Sequence, residues 1–369
     1  VINPKTATKG SKINVQDVLA VEELDVSNPM VMDSNKLRIP QIIPRKKSKT
    51  ILMSRQVRKN SLANIKMNTV YENGMTGKKI FDTYHESISA NIVEDTKKLE
   101  NELGITKLRK QNPGTVEYAE AKYNYLQQVR KRIYEQVKDK QLSNNYVKAL
   151  DIVPDGKFNW RFRAPLSFPS YERKFQQIFL STFKNGIFNQ RIRGKELVQI
   201  AEAGGHIVDS ELKMYDGTNR AEVRIKASLL GLPADTNIED VDPKLLEAIG
   251  YRVPHQGKNS SLPVKVVGFL PESHDKAIMV PGGVTKQMGS DFDVDKMYII
   301  QPETEVVDGK LQIVKPNYSD KNPNRAQRDA RIYDMLDTVL TSKEHLVEVL
   351  NPLDNPVLEN LASELRTTS

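Results

Sequence analysis

The sequence predicts an α+β protein, a small β-barrel flanked by helical segments, on two observations. Between residues 191 and 315, apolar and polar residues alternate in short runs broken by glycine and proline. That is the pattern of short strands joined by irregular connections. On either side, apolar residues recur at spacings of three and four, the pattern of amphipathic helices. Short strands with long, irregular links suit a closed barrel better than a doubly wound sheet. A chain of 369 residues is long for one core, so two or three units are expected.

Taken in order, residues 1–84 read as an irregular basic segment. Pro4, Pro29, Pro40 and Pro44 interrupt it. The run Arg45-Lys46-Lys47-Ser48-Lys49, with Arg55, Arg58 and Lys59 after it, either tracks a phosphate backbone or forms a solvated arm. Residues 85–150 read as a helical module with Ala119, Tyr123, Leu126, Val129, Ile133 and Val137 on one face, and Pro113-Gly114 divides it in two. Residues 151–190 read as an aromatic-rich linker (Phe158, Trp160, Phe162, Phe168) and a helix from Tyr171 to Lys184 carrying Phe175, Ile178, Phe179 and Phe183. Arg161, Arg163 and Arg173 beside aromatics suit base stacking, but these aromatics read first as core. Within 191–315 the candidate strands are Leu197–Ala201, Arg220–Ile225, Val264–Phe269, Ala277–Val280 and Lys296–Ile300, followed by a hairpin turning at Asp308-Gly309. Residues 316–369 read as a helical segment in which Ile332, Met335, Leu336 and Val339 share a face. The chain opens on Val and ends within a helical pattern, which predicts a piece of a longer protein.

Bulk composition narrows the chemistry. The chain has no cysteine, which excludes disulfides, thiolate metal sites and cysteine nucleophiles. Its five histidines have no HExxH spacing, so a histidine metal site is not expected. No run of apolar residues is long enough to span a bilayer, so no membrane partner is expected. A net charge of +8 favours polyanionic partners such as nucleic acid without requiring them.

The most specific feature is Gly289-Ser290-Asp291-Phe292-Asp293-Val294-Asp295-Lys296. Carboxylates at i, i+2 and i+4 on a looped backbone crowd like charges, and a divalent cation relieves that repulsion. Carboxylate oxygens suit a hard ion such as Mg²⁺, which keeps part of its water shell and bridges to phosphates. An EF-hand also begins Asp-x-Asp-x-Asp, but it needs Gly at its sixth position and a carboxylate at its twelfth. Lys296 and Pro302 stand there instead. Alternation of the acids with Phe292 and Val294, and the apolar run Met297 to Ile300 behind them, places the cluster at the mouth of a buried strand. Upstream, Gly250 to Ser261 reads as a polar loop before a strand. Its Arg252 is a plausible fork for a phosphate or a sugar hydroxyl.

Together these pieces resemble the catalytic double-psi β-barrel of multisubunit-type RNA polymerases. There an Arg-x-Pro loop precedes a metal loop Asn-Ala-Asp-Phe-Asp-Gly-Asp, as Arg252-Val253-Pro254 precedes Asp291 to Asp295 here. Arg193 to Val198 looks like the family's Gly-Lys-Arg-Val opening strand. The resemblance covers roughly residues 190–352 and is closest to the large RNA polymerases of crAss-like bacteriophages, which are themselves similar to the polymerases of RNA interference. Two positions depart from the family pattern: Val294 replaces its Gly, and Gly289 replaces its Asn.

The resemblance implies that Asp291, Asp293 and Asp295 hold Mg²⁺, and that Arg252, Gln256 and Lys258 lie near the nucleotide. It implies DNA-directed RNA synthesis from nucleoside triphosphates, with a DNA template and an RNA product. A second β-barrel would be supplied by another part of the chain or another subunit. It also implies location in a phage virion and then the host cytoplasm. The alternatives are an RNA-templated polymerase of the interference type, a metal-dependent nuclease using His274, and a virion protein keeping an inactive barrel.

Overall fold

The computed structural model describes residues 50–53, 62, 65–137, 144–165, 169–183, 187–201, 212–215, 217–290 and 295–350. The chain divides into two compact units, residues 86–190 and the remainder.

Helices dominate the 86–190 unit. Helix α1 spans Gly77–Glu102 and therefore begins at Gly77 rather than at residue 85. It is followed by α2 (Ile105–Arg109), α3 (Val116–Val137) and α4 (Asn144–Ala149). A two-stranded hairpin, β2 (Ile152–Pro154) with β3 (Trp160–Phe162), precedes α5 (Pro169–Phe183). The hairpin occupies the stretch read from sequence as a linker. Leu126, Val129 and Ile133 of α3 are buried with Leu99, Phe162 and Phe175 in one core. Phe162 and Phe175 are thus core residues, as expected, and Trp160 packs edge-on against Tyr123 at 4.9 Å.

The other unit is built on a closed six-stranded β-barrel with flanking helices. Its strands are β4 (Arg191–Ala201), β5 (Ala221–Ile225), β6 (Glu247–Arg252), β7 (Ser261–Phe269), β8 (Ala277–Val280) and β9 (Lys296–Ile300). The order around the barrel is β4-β8-β5-β7-β6-β9, and pairing of β9 with β4 closes it. A short strand, β1 (Thr50–Leu52), adds antiparallel to β4. The pairs β4–β8 and β5–β7 are parallel and the rest antiparallel. Exchanging the first three barrel strands with the last three maps every pairing onto one of the same sense. The barrel therefore has an internal two-fold pattern of connectivity.

The interior is apolar. Leu197, Val223, Ala248, Leu262, Val264, Ile278 and Met297 are all essentially sealed from solvent. Each large aliphatic side chain buried this way contributes on the order of 1.5–3 kcal/mol. Strand β6 corrects the sequence reading, which made Gly250 to Ser261 a loop. Glycine and a nearby proline signalled a turn, yet Gly250 pairs with Ile299 and Leu262 inside the sheet. A Cβ there would fall 2.0 Å from Met297 Cε, so the glycine makes room for the methionine.

Beyond the barrel, β10 (Thr304–Val307) and β11 (Lys310–Ile313) form a hairpin. Its Asp308-Gly309 turn has φ of 51° and 74°, the left-handed geometry that two-residue hairpins favour. Helix α8 (Arg325–Leu340) is N-capped by the Asn324 side chain, which accepts from the Gln327 amide at 2.9 Å. It buries Ile332, Met335, Leu336 and Val339, the face read from sequence. Helix α9 (Lys343–Leu350) follows. Among the described residues no helix is long and apolar enough to cross a membrane.

Candidate functional site

The site forms where β6 ends and β9 begins. Helix α6 (Ala227–Leu230) follows β5, and between β8 and β9 lies helix α7 (Gly282–Met288), which stops at Gly289 with φ 64°. That left-handed conformation costs an ordinary side chain about 1–2 kcal/mol, and glycine and asparagine bear it best. Asp291, Asp293 and the intervening residues through Val294 lie outside the described residues. Asp295, which leads into β9, is described.

Arg252, the last residue of β6, reaches across to this segment. Its Nη2 donates to Asp295 Oδ1 at 3.1 Å. Its Nη1 donates to the Met288 carbonyl at 3.2 Å and also to the Gly289 carbonyl. The last carbonyls of a helix have no intrahelical partner, and a guanidinium there also complements the helix dipole. Both members of the ion pair are largely buried, at 17% and 13% side-chain exposure. The Asp295 carbonyl accepts from the Gln199 amide of β4 at 2.9 Å, so backbone and side chain of this aspartate are fixed independently.

The segment after Arg252 begins with a cis Val253–Pro254 peptide bond. Its Asn259 side chain donates to the Gln287 carbonyl of α7 at 2.8 Å. Gln287 Oε1 in turn accepts from the Tyr215 hydroxyl at 2.7 Å. His255 is buried beneath this segment with Nε2 2.7 Å from Ser261 Oγ, and burial pushes its imidazole down to about 4. It is therefore neutral near pH 7. Behind the site, Tyr251 stacks on Tyr298 at 5.4 Å, and Lys296 pairs with Glu196 at 2.9 Å. The Glu196 hydrogen bond raises the Lys296 pKa.

Of the residues singled out from sequence, the structure brings Arg252, Gln256 and Asp295 around Gly289. A Cβ on Gly289 would lie 3.8 Å from Arg252 Nη1 and 4.0 Å from Gln256 Oε1. Lys258 is turned to Glu348 on α9, and both side chains are more than a third exposed. Exposed pairs of this kind contribute about 0–1 kcal/mol. His274 sits in the turn after β7 with Nδ1 3.3 Å from the Pro271 carbonyl. Sequence reasoning missed Asn259, Gln287 and Glu196, whose roles depend on contacts across the barrel that no local spacing encodes.

The donor set of the acidic loop is oxygen only, which fits a hard divalent cation. Among the described residues no group of three His, Cys, Asp or Glu gathers as a metal site. Two of the three aspartates in question lie outside those residues. A cavity of about 1000 Å³ lies elsewhere in this unit, against α8 and the β10–β11 hairpin, and neither Arg252 nor Asp295 lines it. Donor chemistry, not volume, locates the site. Comparison with protein-family models and with curated proteins finds no match.

Proposed function

We propose that the barrel is a double-psi barrel and that the chain carries the metal-binding part of an RNA polymerase active site. One observation carries the reading. Arg252 and Asp295, 43 positions apart and in motifs chosen from sequence for different reasons, meet through a hydrogen bond at 3.1 Å. Two features of the barrel support it. A double-psi barrel interlocks two copies of one strand motif, and the pairing here is unchanged when the two halves are exchanged. The segment resembling the family's opening strand, Arg193 to Val198, lies in β4, the first barrel strand.

In this reading Asp291, Asp293 and Asp295 hold Mg²⁺. When bound, the ion supplies acidification of the RNA 3′-hydroxyl and offsets charge on the incoming α-phosphate. The chain's own contribution is geometric. The β4 backbone and Arg252 fix the third aspartate, and Gly289 turns the chain sharply out of α7 into the loop. Nucleoside triphosphates are the substrates, DNA is the template, and the second barrel lies on another part of the chain or another subunit.

The test is Mg²⁺-dependent extension of an RNA primer by the longest natural protein containing this chain, on DNA and on RNA templates. Extension on DNA is expected. Extension on RNA alone would move the reading to an interference-type polymerase. Primer shortening without extension on either template would replace it with a nuclease.

A further inference from the structure

The cavity against α8 and the β10–β11 hairpin holds about 1000 Å³, room for a small organic ligand. Its charges are sorted by depth. The lysines of its wall, Lys244, Lys310 and Lys315, are all exposed. The acids Glu247, Glu303, Asp334 and Asp337 are partly buried. Arg220 bridges two of these, Glu247 at 3.2 Å and Asp337 at 2.6 Å. Glu303 and Asp334 have no ion pair among the described residues. The Tyr318 hydroxyl donates to Asp334, and Arg193 and Arg325 oppose the Glu303 charge from beyond ion-pair contact. Burial raises the pKa of both carboxyls. Two further atoms of wall residues, the Tyr333 hydroxyl and Asp337 Oδ1, are buried with no hydrogen-bond partner among the described residues. Buried polar groups are costly to leave in that state.

We propose that this cavity binds a linear aliphatic polyamine, whose ammonium groups pair with Glu303 and Asp334 and whose methylene chain lies against the aliphatic wall. The acids call for cations, but not for a metal ion. Glu247 begins β6, Glu303 precedes β10, and Asp334 and Asp337 stand on α8. Among the described residues no three such groups gather around one point. A ligand with several separated cationic heads meets carboxylates dispersed in this way. Leu245, Leu311, Ile313 and Val314 supply apolar wall for the methylenes that join the heads. An ammonium has three donors, so a head paired with one carboxylate can also serve Asp337 Oδ1 or the Tyr333 hydroxyl. The chain as a whole carries +8 and repels polycations, which confines such binding to a locally acidic site.

The experiment is calorimetric titration of spermidine, butylamine and MgCl₂ into the whole chain and into Glu303→Gln, Asp334→Asn and Val306→Lys. Circular dichroism confirms that each variant matches the native fold. Val306 lines the cavity and is 69% exposed, so a lysine there adds a competing ammonium without disturbing the core. The expected result is saturable spermidine binding by native protein at one site, with butylamine about tenfold or more weaker for want of a second head. Each carboxamide variant should weaken spermidine by about tenfold or more, and Val306→Lys should weaken it as well. Mg²⁺ at equal concentration should not displace it. Absence of saturable spermidine binding would overturn the proposal. Equal affinity for butylamine would reduce the site to one cationic head and overturn the polyamine assignment. Displacement by Mg²⁺ would make it a metal site instead. Unaltered spermidine affinity in all three variants would place the binding elsewhere and overturn it too.

Discussion

Arg220 and Arg252, both in the barrel unit, face carboxylates, and they do so differently. Arg220, just before β5, is 5% exposed and bridges Asp337 of α8 at 2.6 Å and Glu247 of β6 at 3.2 Å. Lys244 adds a second cation to Glu247 at 3.0 Å. Burial pushes the Asp337 carboxyl up, and Arg220 opposes the shift. Arg252 takes one carboxylate through Nη2 and gives Nη1 to the open end of a helix. The first arrangement joins three elements and leads nowhere along the chain. The second joins the C-terminal end of α7 to the start of β9. The first kind ties three barrel-unit elements together, whereas the second ties a helix end to the strand that follows it.

The comparison predicts opposite consequences. Arg220→Ala leaves the buried Asp337 carboxylate without its counter-charge and Glu247 with Lys244 alone, and should cost about 3–5 kcal/mol of stability by urea denaturation. A loss no larger than that of an exposed ion pair would show that the network is solvated and would erase the contrast.

Acid should act on the other side. His255 lies under the Arg252 segment, and its pKa falls from 6.5 to about 4 on folding. The unfolded chain then binds more protons between these values, so stability is complete above about pH 6.5 and declines toward pH 4. The full span corresponds to about 3 kcal/mol. Denaturation midpoints at pH 7 and 4.5 should differ more in the native protein than in His255→Gln. Equal differences would mean that His255 is hydrated.

The smallest effect belongs to Gly289. Gly289→Ala should cost about 1–2 kcal/mol for the left-handed backbone, with little steric penalty because the nearest atom would be 3.8 Å away. Its thermal shift should be clearly below that of Arg220→Ala.

Much of this was readable in the sequence, and the omissions share a cause. Ala277–Val280 and Lys296–Ile300 coincide with β8 and β9 because each is a short apolar run between turn residues. The α8 face was legible for the same reason, with Ile332, Met335, Leu336 and Val339 spaced for one side of a helix. Strand β6 was hidden because Gly250 and Pro254 mimic a turn, and only the packing of Met297 shows why a glycine belongs there. The β2–β3 hairpin was hidden by its brevity, three residues a side. At the site, Arg252 and the acidic loop were visible as separate motifs. Their joining was not, because β6 and β9 become neighbours only when the barrel closes.

The most direct test of the central claim compares metal uptake by native protein and Asp293→Asn, which removes one charge at nearly constant size. Mn²⁺ electron paramagnetic resonance should show ions bound to the native chain, displaced by excess Mg²⁺, and affinity at least about a hundredfold weaker in the variant. Equal Mn²⁺ binding by both proteins would contradict the account, since the acidic loop would then not be the metal site.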